Sequence, residues 1–131
     1  IGKKIYLAND IRLAITNNLD GAYIPSFNKS LRHKILPKKK DFLIMGSAHN
    51  INEIRIKESQ GVEIIFISPI FNTKKNKKQL GIVKFKLLSK ETKKKVAALG
   101  GINKTNVGLL KMANINAISG IRFIEELSNE K

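Results

Sequence analysis

The pair Gly100-Gly101 in VAALGGINKTN (96–106) stands between an apolar run and what reads as a helix start. Glycine accepts φ > 0 and makes a tight strand-to-helix turn; it also leaves backbone N–H groups bare toward an anion, most often phosphate. On the pair alone both readings stand. Ser119-Gly120 repeats the pattern after the next apolar run. Other polar residues follow earlier runs: Asn9 and Asp10, Ser26 and Asn28, Ser47 and His49, Ser68 and Thr73. Such groups can hold oxyanions, and Asp10 offers a carboxylate to a hard cation such as Mg²⁺. Each also has a plainer role. Asp10, Ser47 and Asn50 are of types that cap helices, while His49 suits a turn and Thr73 a loop. No Ser/His/Asp arrangement, catalytic carboxylate pair or complete phosphate-loop fingerprint is present, which argues against hydrolases and kinases.

The elements that would position these residues alternate along the chain. KIYLA (4–8), AYI (22–24), FLIMG (42–46), EIIFI (63–67), VAALG (96–100) and AISG (117–120) read as strands. Helical stretches are expected near 10–18, near 28–36, over 50–60 and after each later strand. Within 50–60, Ile51, Ile54 and, more loosely, Ile56 share a face, and Glu53 lies four before Lys57, a helical pair spacing. Apolar strands alternating with helices predict an α/β fold with a parallel sheet covered on both sides. No linker divides 1–131, so one domain is expected. The longest gap, 68–81, is polar and reads as a lid or binding loop at the carboxyl ends of the strands. If the units belong to a (β/α)8 barrel, the polar residues above all face one mouth, with the two glycine-containing turns forming a phosphate site.

Composition narrows the function further. The net charge is +15, yet 21 of the 25 basic residues are lysine and only four are arginine. Arginine is the residue that reads guanines and phosphates bidentately, and base-stacking aromatics are sparse, so no specific nucleic-acid role is expected. The absence of cysteine removes disulfides and thiolate metal sites, and two histidines make a histidine-based zinc site improbable. No apolar run approaches a bilayer span and no signal-peptide pattern opens the chain, so a cytoplasmic setting without membrane contact is expected.

YLANDIRLAITNNLDGAYI, IMGSAHNINE, SPIFNT…LG and VAALGGINKTNV…INAISGI, in this order and spacing, resemble the thiamine-phosphate synthase family, with its thiazole tautomerase relatives. The resemblance runs from residue 4 to about 127. It implies a TIM barrel joining hydroxymethylpyrimidine diphosphate to thiazole phosphate, with Mg²⁺ neutralising the departing pyrophosphate. By position it implies that Asn9 touches the pyrimidine, Asp10 holds Mg²⁺ and Ser47 binds the diphosphate. Thr73 would meet the thiazole phosphate, cradled by Gly101 and the Ile118-Ser119 backbone.

The departures are specific. The family's second magnesium carboxylate falls on Asn28, a neutral and poorer ligand. Its Thr-Lys pair in the long loop falls on Lys75 and Asn76, with Lys77 one residue late as a flexible substitute. Six units correspond to the last six of eight, and the chain opens on Ile1, so an incomplete barrel lacking the first two units is expected. Open sheet edges would favour association of copies into a homo-oligomer. Two alternatives accompany the synthase reading: a tautomerase using His49 as proton carrier, and a non-catalytic binder of phosphorylated ligands.

Overall fold

β-Branched and small apolar residues dominate the strands of this protein, and polar side chains cap its first two α-helices. The structure, a computed structural model, describes residues 3–72, 79–112 and 117–119. The strands are β1 (Tyr6–Ala8), β2 (Gly21–Ile24), β3 (Leu43–Ala48), β4 (Ile64–Ile67), β5 (Lys95–Leu99) and β6 (Ala117–Ser119). They form one six-stranded sheet, every neighbouring pair parallel, in the order β1-β2-β3-β4-β5-β6. A spatial order that follows the chain order is that of consecutive units in a (β/α) barrel, whereas a doubly wound sheet reverses direction at its switch point.

Helices α1 (Ile11–Thr16), α2 (Ile51–Ser59) and α3 (Gly81–Lys90) provide three of the crossovers. Asp10 caps α1 by accepting a bond from the Leu13 N–H (2.9 Å), and Asn50 caps α2 by accepting from Glu53 N–H (3.0 Å). Each such cap contributes about 1 kcal/mol. The register aligns Leu7, Ala22, Ile44 and Tyr6, Gly21, Leu43 in adjacent rows of opposite facing. Ala22, Ile24, Ile44, Ile65, Ile67, Val96 and Ala98 belong to the buried cluster on the helical side, with Ala14, Ile54 and Phe85 packed over them. On the other side Tyr23 and Phe66 meet edge to face, 5.9 Å between centroids, and both stay half-buried. Among the described residues no helix is long and apolar enough to cross a membrane.

Two expectations need correction. In place of a helix over 28–36 there is a short 3₁₀ turn, Arg32–Ile35. Asn28 and Ser30 explain it: their side-chain oxygens accept from Ser30 N–H (2.9 Å) and Arg32 N–H (3.3 Å), offering the backbone local partners that compete with helix. The gap 68–81 is also not polar throughout. Ile70 is fully buried in the core, and Leu80 and Gly81 donate to the carbonyls of Pro69 and Ile70, so the base of the loop is packed and laced. The helix expected after β5 is a 3₁₀ segment, Val107–Met112; the region after β6 lies outside the described residues.

Candidate functional site

The carboxyl ends of the strands carry two polar constructions, one built from side chains and one from backbone. The first starts at Asn9, just past β1, in the left-handed region (φ 60°) that Asn tolerates better than most residues. Its Oδ1 accepts a bond from Asn28 Nδ2 (2.7 Å), so two residues nineteen apart in sequence form an amide pair. Asp10, beside it, uses Oδ1 for the α1 cap.

Asn28 is held from behind. Its carbonyl accepts from Lys57 Nζ and from Gln60 Nε2, both at 2.9 Å. Lys57 Nζ also donates to Gln60 Oε1 (2.9 Å), and Gln60 Nε2 to the Ser30 carbonyl (2.9 Å). Lys57 is fully buried and crosses β3 where Gly46 has no side chain; a Cβ there would come within 2.8 Å of Lys57 Cδ. Burial lowers the Lys57 ammonium to about 8, against a smaller upward pull from Glu53. Two oxygens, the Asn28 carbonyl and Gln60 Oε1, surround Nζ. Glu53 and Lys57, one turn apart, take different partners: Glu53 Oε2 accepts from His49 N–H (2.7 Å) while Lys57 turns inward.

Sequence reasoning missed Lys57 and Gln60. The available signal was that Lys57 continues the Ile51/Ile54 stripe at a spacing of three, which puts a charged residue on the buried face.

His49 bridges two loops. Its Nδ1 lies 2.6 Å from the Ser68 carbonyl and its Nε2 3.0 Å from Ser26 Oγ. A carbonyl only accepts, so Nδ1 carries the proton, and in the neutral ring Nε2 accepts from the Ser26 hydroxyl. With both nitrogens engaged, His49 works as a strut between the segments after β2 and β4. Ser47, on β3 between these constructions, is buried.

The second construction is the glycine pair, with φ 100° at Gly100 and 69° at Gly101. The base of the long loop lies against it. Ile70 N–H donates to the Leu99 carbonyl (3.1 Å) and Phe71 N–H to the Gly100 carbonyl (3.2 Å). A Cβ at Gly101 would come within 2.6 Å of the Asn72 carbonyl oxygen and 2.8 Å of Phe71 C. The glycines thus permit close approach of a second backbone as well as a turn. Beyond them, Asn106 Nδ2 donates to the Gly101 carbonyl (2.8 Å) and Asn103 Oδ1 accepts from the Thr105 and Asn106 N–H groups. The N–H groups of Gly101 and Ile102 find no acceptor among the described residues. Ile118 and Ser119 lie in β6 beside β5, where Leu99 pairs with Ser119. Thr73, Lys75 and Lys77 lie outside the described residues.

A family model described as thiamine monophosphate synthase matches residues 2–124. The chain belongs to this family. The thiamine-phosphate synthase of Prochlorococcus marinus (strain AS9601) is 32% identical across 97% of this chain and 36% of that protein. The thiamine-phosphate synthase of Methanococcus vannielii is 30% identical across 92% of the chain and 59% of its own length. Among solved structures, thiamine phosphate pyrophosphorylase from Pyrococcus furiosus shares the fold, with TM-score 0.71 and 18% identity over 90% of this chain and 56% of that one. The chain thus spans between about a third and three fifths of the length of these thiamine-phosphate synthase relatives. A groove lies away from these two constructions. That groove, of about 570 Å³, is lined by Lys4, Asp20, Lys39, Asp41 and Glu63 near the opposite, amino ends of the strands.

Proposed function

We propose that residues 1–131, one domain, supply six units of a (β/α)8-type barrel whose carboxyl edge takes part in thiamine biosynthesis. The reaction is transfer of the hydroxymethylpyrimidine group from its diphosphate to the nitrogen of thiazole phosphate, giving thiamine phosphate and pyrophosphate. The observation that carries this reading is the gathering of Asn9, Asn28, Ser47 and Gly101, from four different loops or strands, at one end of the sheet. In this reading the N–H groups of Gly101 and Ile102 receive the thiazole phosphate, with Thr73 and the Ile118-Ser119 backbone alongside. Ser47, on β3, meets the diphosphate, and Lys75 or Lys77 supplies positive charge. Asn9 contacts the pyrimidine: its Oδ1 is taken by Asn28, so its NH₂ is left to donate.

The donor set suits Mg²⁺ rather than a softer metal. Asp10 offers a carboxylate and Asn28 an amide oxygen, both hard, and no cluster of three acidic or histidine ligands occurs among the described residues. Such a site relies on the diphosphate and water for the remaining ligands. The metal, when bound, neutralises the leaving pyrophosphate. The absence of cysteine accords with a reducing, cytoplasmic setting.

Calorimetry tests the reading. Thiazole phosphate is expected to bind without added metal, and hydroxymethylpyrimidine diphosphate only with Mg²⁺. Release of pyrophosphate when both are present identifies the transfer. Failure of both ligands to bind would overturn the proposal. Isomerisation of a thiazole carboxylate precursor without pyrimidine would support the tautomerase alternative, in which His49 would have to leave its Ser26 or Ser68 partner.

A further inference from the structure

The Asn28 carbonyl receives two buried donors, Lys57 Nζ and Gln60 Nε2, while its side chain donates to Asn9 and accepts from Ser30 N–H. Every hydrogen-bonding group described on Asn28 beyond its N–H is thus directed, and its N–H donates to the Pro25 carbonyl (3.1 Å). Burying a lysine and a glutamine completely is unfavourable unless their polar atoms are satisfied. Both are satisfied by one segment, 28–30, which carries the residue paired with Asn9. The same segment is tied at its far end, because His33 Nε2 lies 2.7 Å from the Gln60 carbonyl.

We propose that Lys57, together with Gln60, is a positioning residue for the Asn9 end of the site. It acts through the Asn28 carbonyl, fixing the backbone from which the Asn28 amide reaches Asn9. The chain of contact is Lys57 to Asn28 to Asn9, and Lys57 itself touches no ligand. This rests on the function proposed above for its ligand, though not for its geometry. Partners that orient a ligand-binding group commonly change affinity 10- to 100-fold when removed, and an effect of about tenfold is expected here.

The test uses the full chain labelled with ¹⁵N. In the parent, the Asn28 side-chain NH₂ proton bonded to Asn9 is expected to resonate downfield of a free amide. Lys57→Met keeps the stem and removes the donor; the Asn28 and Asn9 NH₂ signals should move toward free-amide positions while Ala97 and Ala98 stay unmoved. Ile54→Ala, from the same helix and apolar, serves as the control that loosens packing without shifting those signals. Where Lys57→Met fails to fold, Gln60→Leu removes the other donor to the same carbonyl and is expected to move the same signals. Unmoved NH₂ signals in a folded variant overturn the proposal. Calorimetry with hydroxymethylpyrimidine diphosphate and Mg²⁺ separates the two claims. A parent that does not bind, with signals that move, overturns the ligand and leaves the clamp. A parent that binds, with a Lys57→Met variant that binds equally well, overturns the positioning role.

Discussion

The Asn9–Asn28 end and the Gly100–Gly101 end of the site solve the same problem with different materials. At the first, side chains converge: an amide pair, a lysine and a glutamine, each bond replaceable one at a time. At the second, two stretches of backbone press together, and what matters is the absence of side chains. The side-chain end should respond to substitution in steps and to pH. The backbone end should respond to any added Cβ at once.

The largest effect is expected at Gly101. A methyl there meets the Asn72 carbonyl and Phe71, and φ of 69° is itself unfavourable for Ala. Gly101→Ala should destabilise the fold by about 3 kcal/mol in urea unfolding, with Gly101→Val worse, and thiazole phosphate binding should be lost. A Gly101→Ala protein as stable as the parent would show that the loop base does not rest on the pair.

At the other end, Lys57 links stability to pH. Its folded value of about 8 lies below the ordinary 10.5, so between those values the unfolded chain holds more protons and stability rises with pH. Below about 8 the lysine is charged in both states and its unfavourable contribution is constant. Unfolding measured from pH 7.5 to 10.5 should show a rise on the order of 2 kcal/mol in the parent relative to Lys57→Met. Parallel curves for the two proteins would refute it.

Asp10 gives the smaller effects. Asp10→Ala removes the cap and should cost about 1 kcal/mol, while Asp10→Asn should change stability by only a few tenths because Asn caps equally well. If Asp10 also holds Mg²⁺, thermal melting of the parent should shift upward with Mg²⁺ and diphosphate, and that of Asp10→Asn should not. No shift in the parent would reduce Asp10 to its cap.

The contrast also explains what could be read from the letters alone. Strands such as EIIFI and VAALG announce themselves because both faces of a helix-covered parallel sheet favour apolar residues. The Asx-type turns at Asn28 and Ser30 were harder, since the region also carries helix-compatible spacing. The inward course of Lys57 is hard to read, because a charge pair one turn apart looks the same whether its lysine faces water or crosses a glycine in the sheet. The glycine pair was legible as special, but its occupant is the segment 69–72, some thirty residues earlier, and no local pattern carries that. Asn9, Asp10 and Ser47 fell where strand ends predicted. Their partners, other than the Asp10 cap, did not follow from spacing.

A sheet whose spatial order repeats its chain order has a consequence for how it is made. Each strand leaving the ribosome finds its neighbour already laid down, with closures ranging from Tyr6–Gly21 to Ile64–Lys95. Loop-closure entropy grows only slowly over such lengths, and no strand needs to wait for one much later in the chain. Assembly can therefore run as a zipper from β1 toward β6, each newly paired strand serving as the template edge for the next.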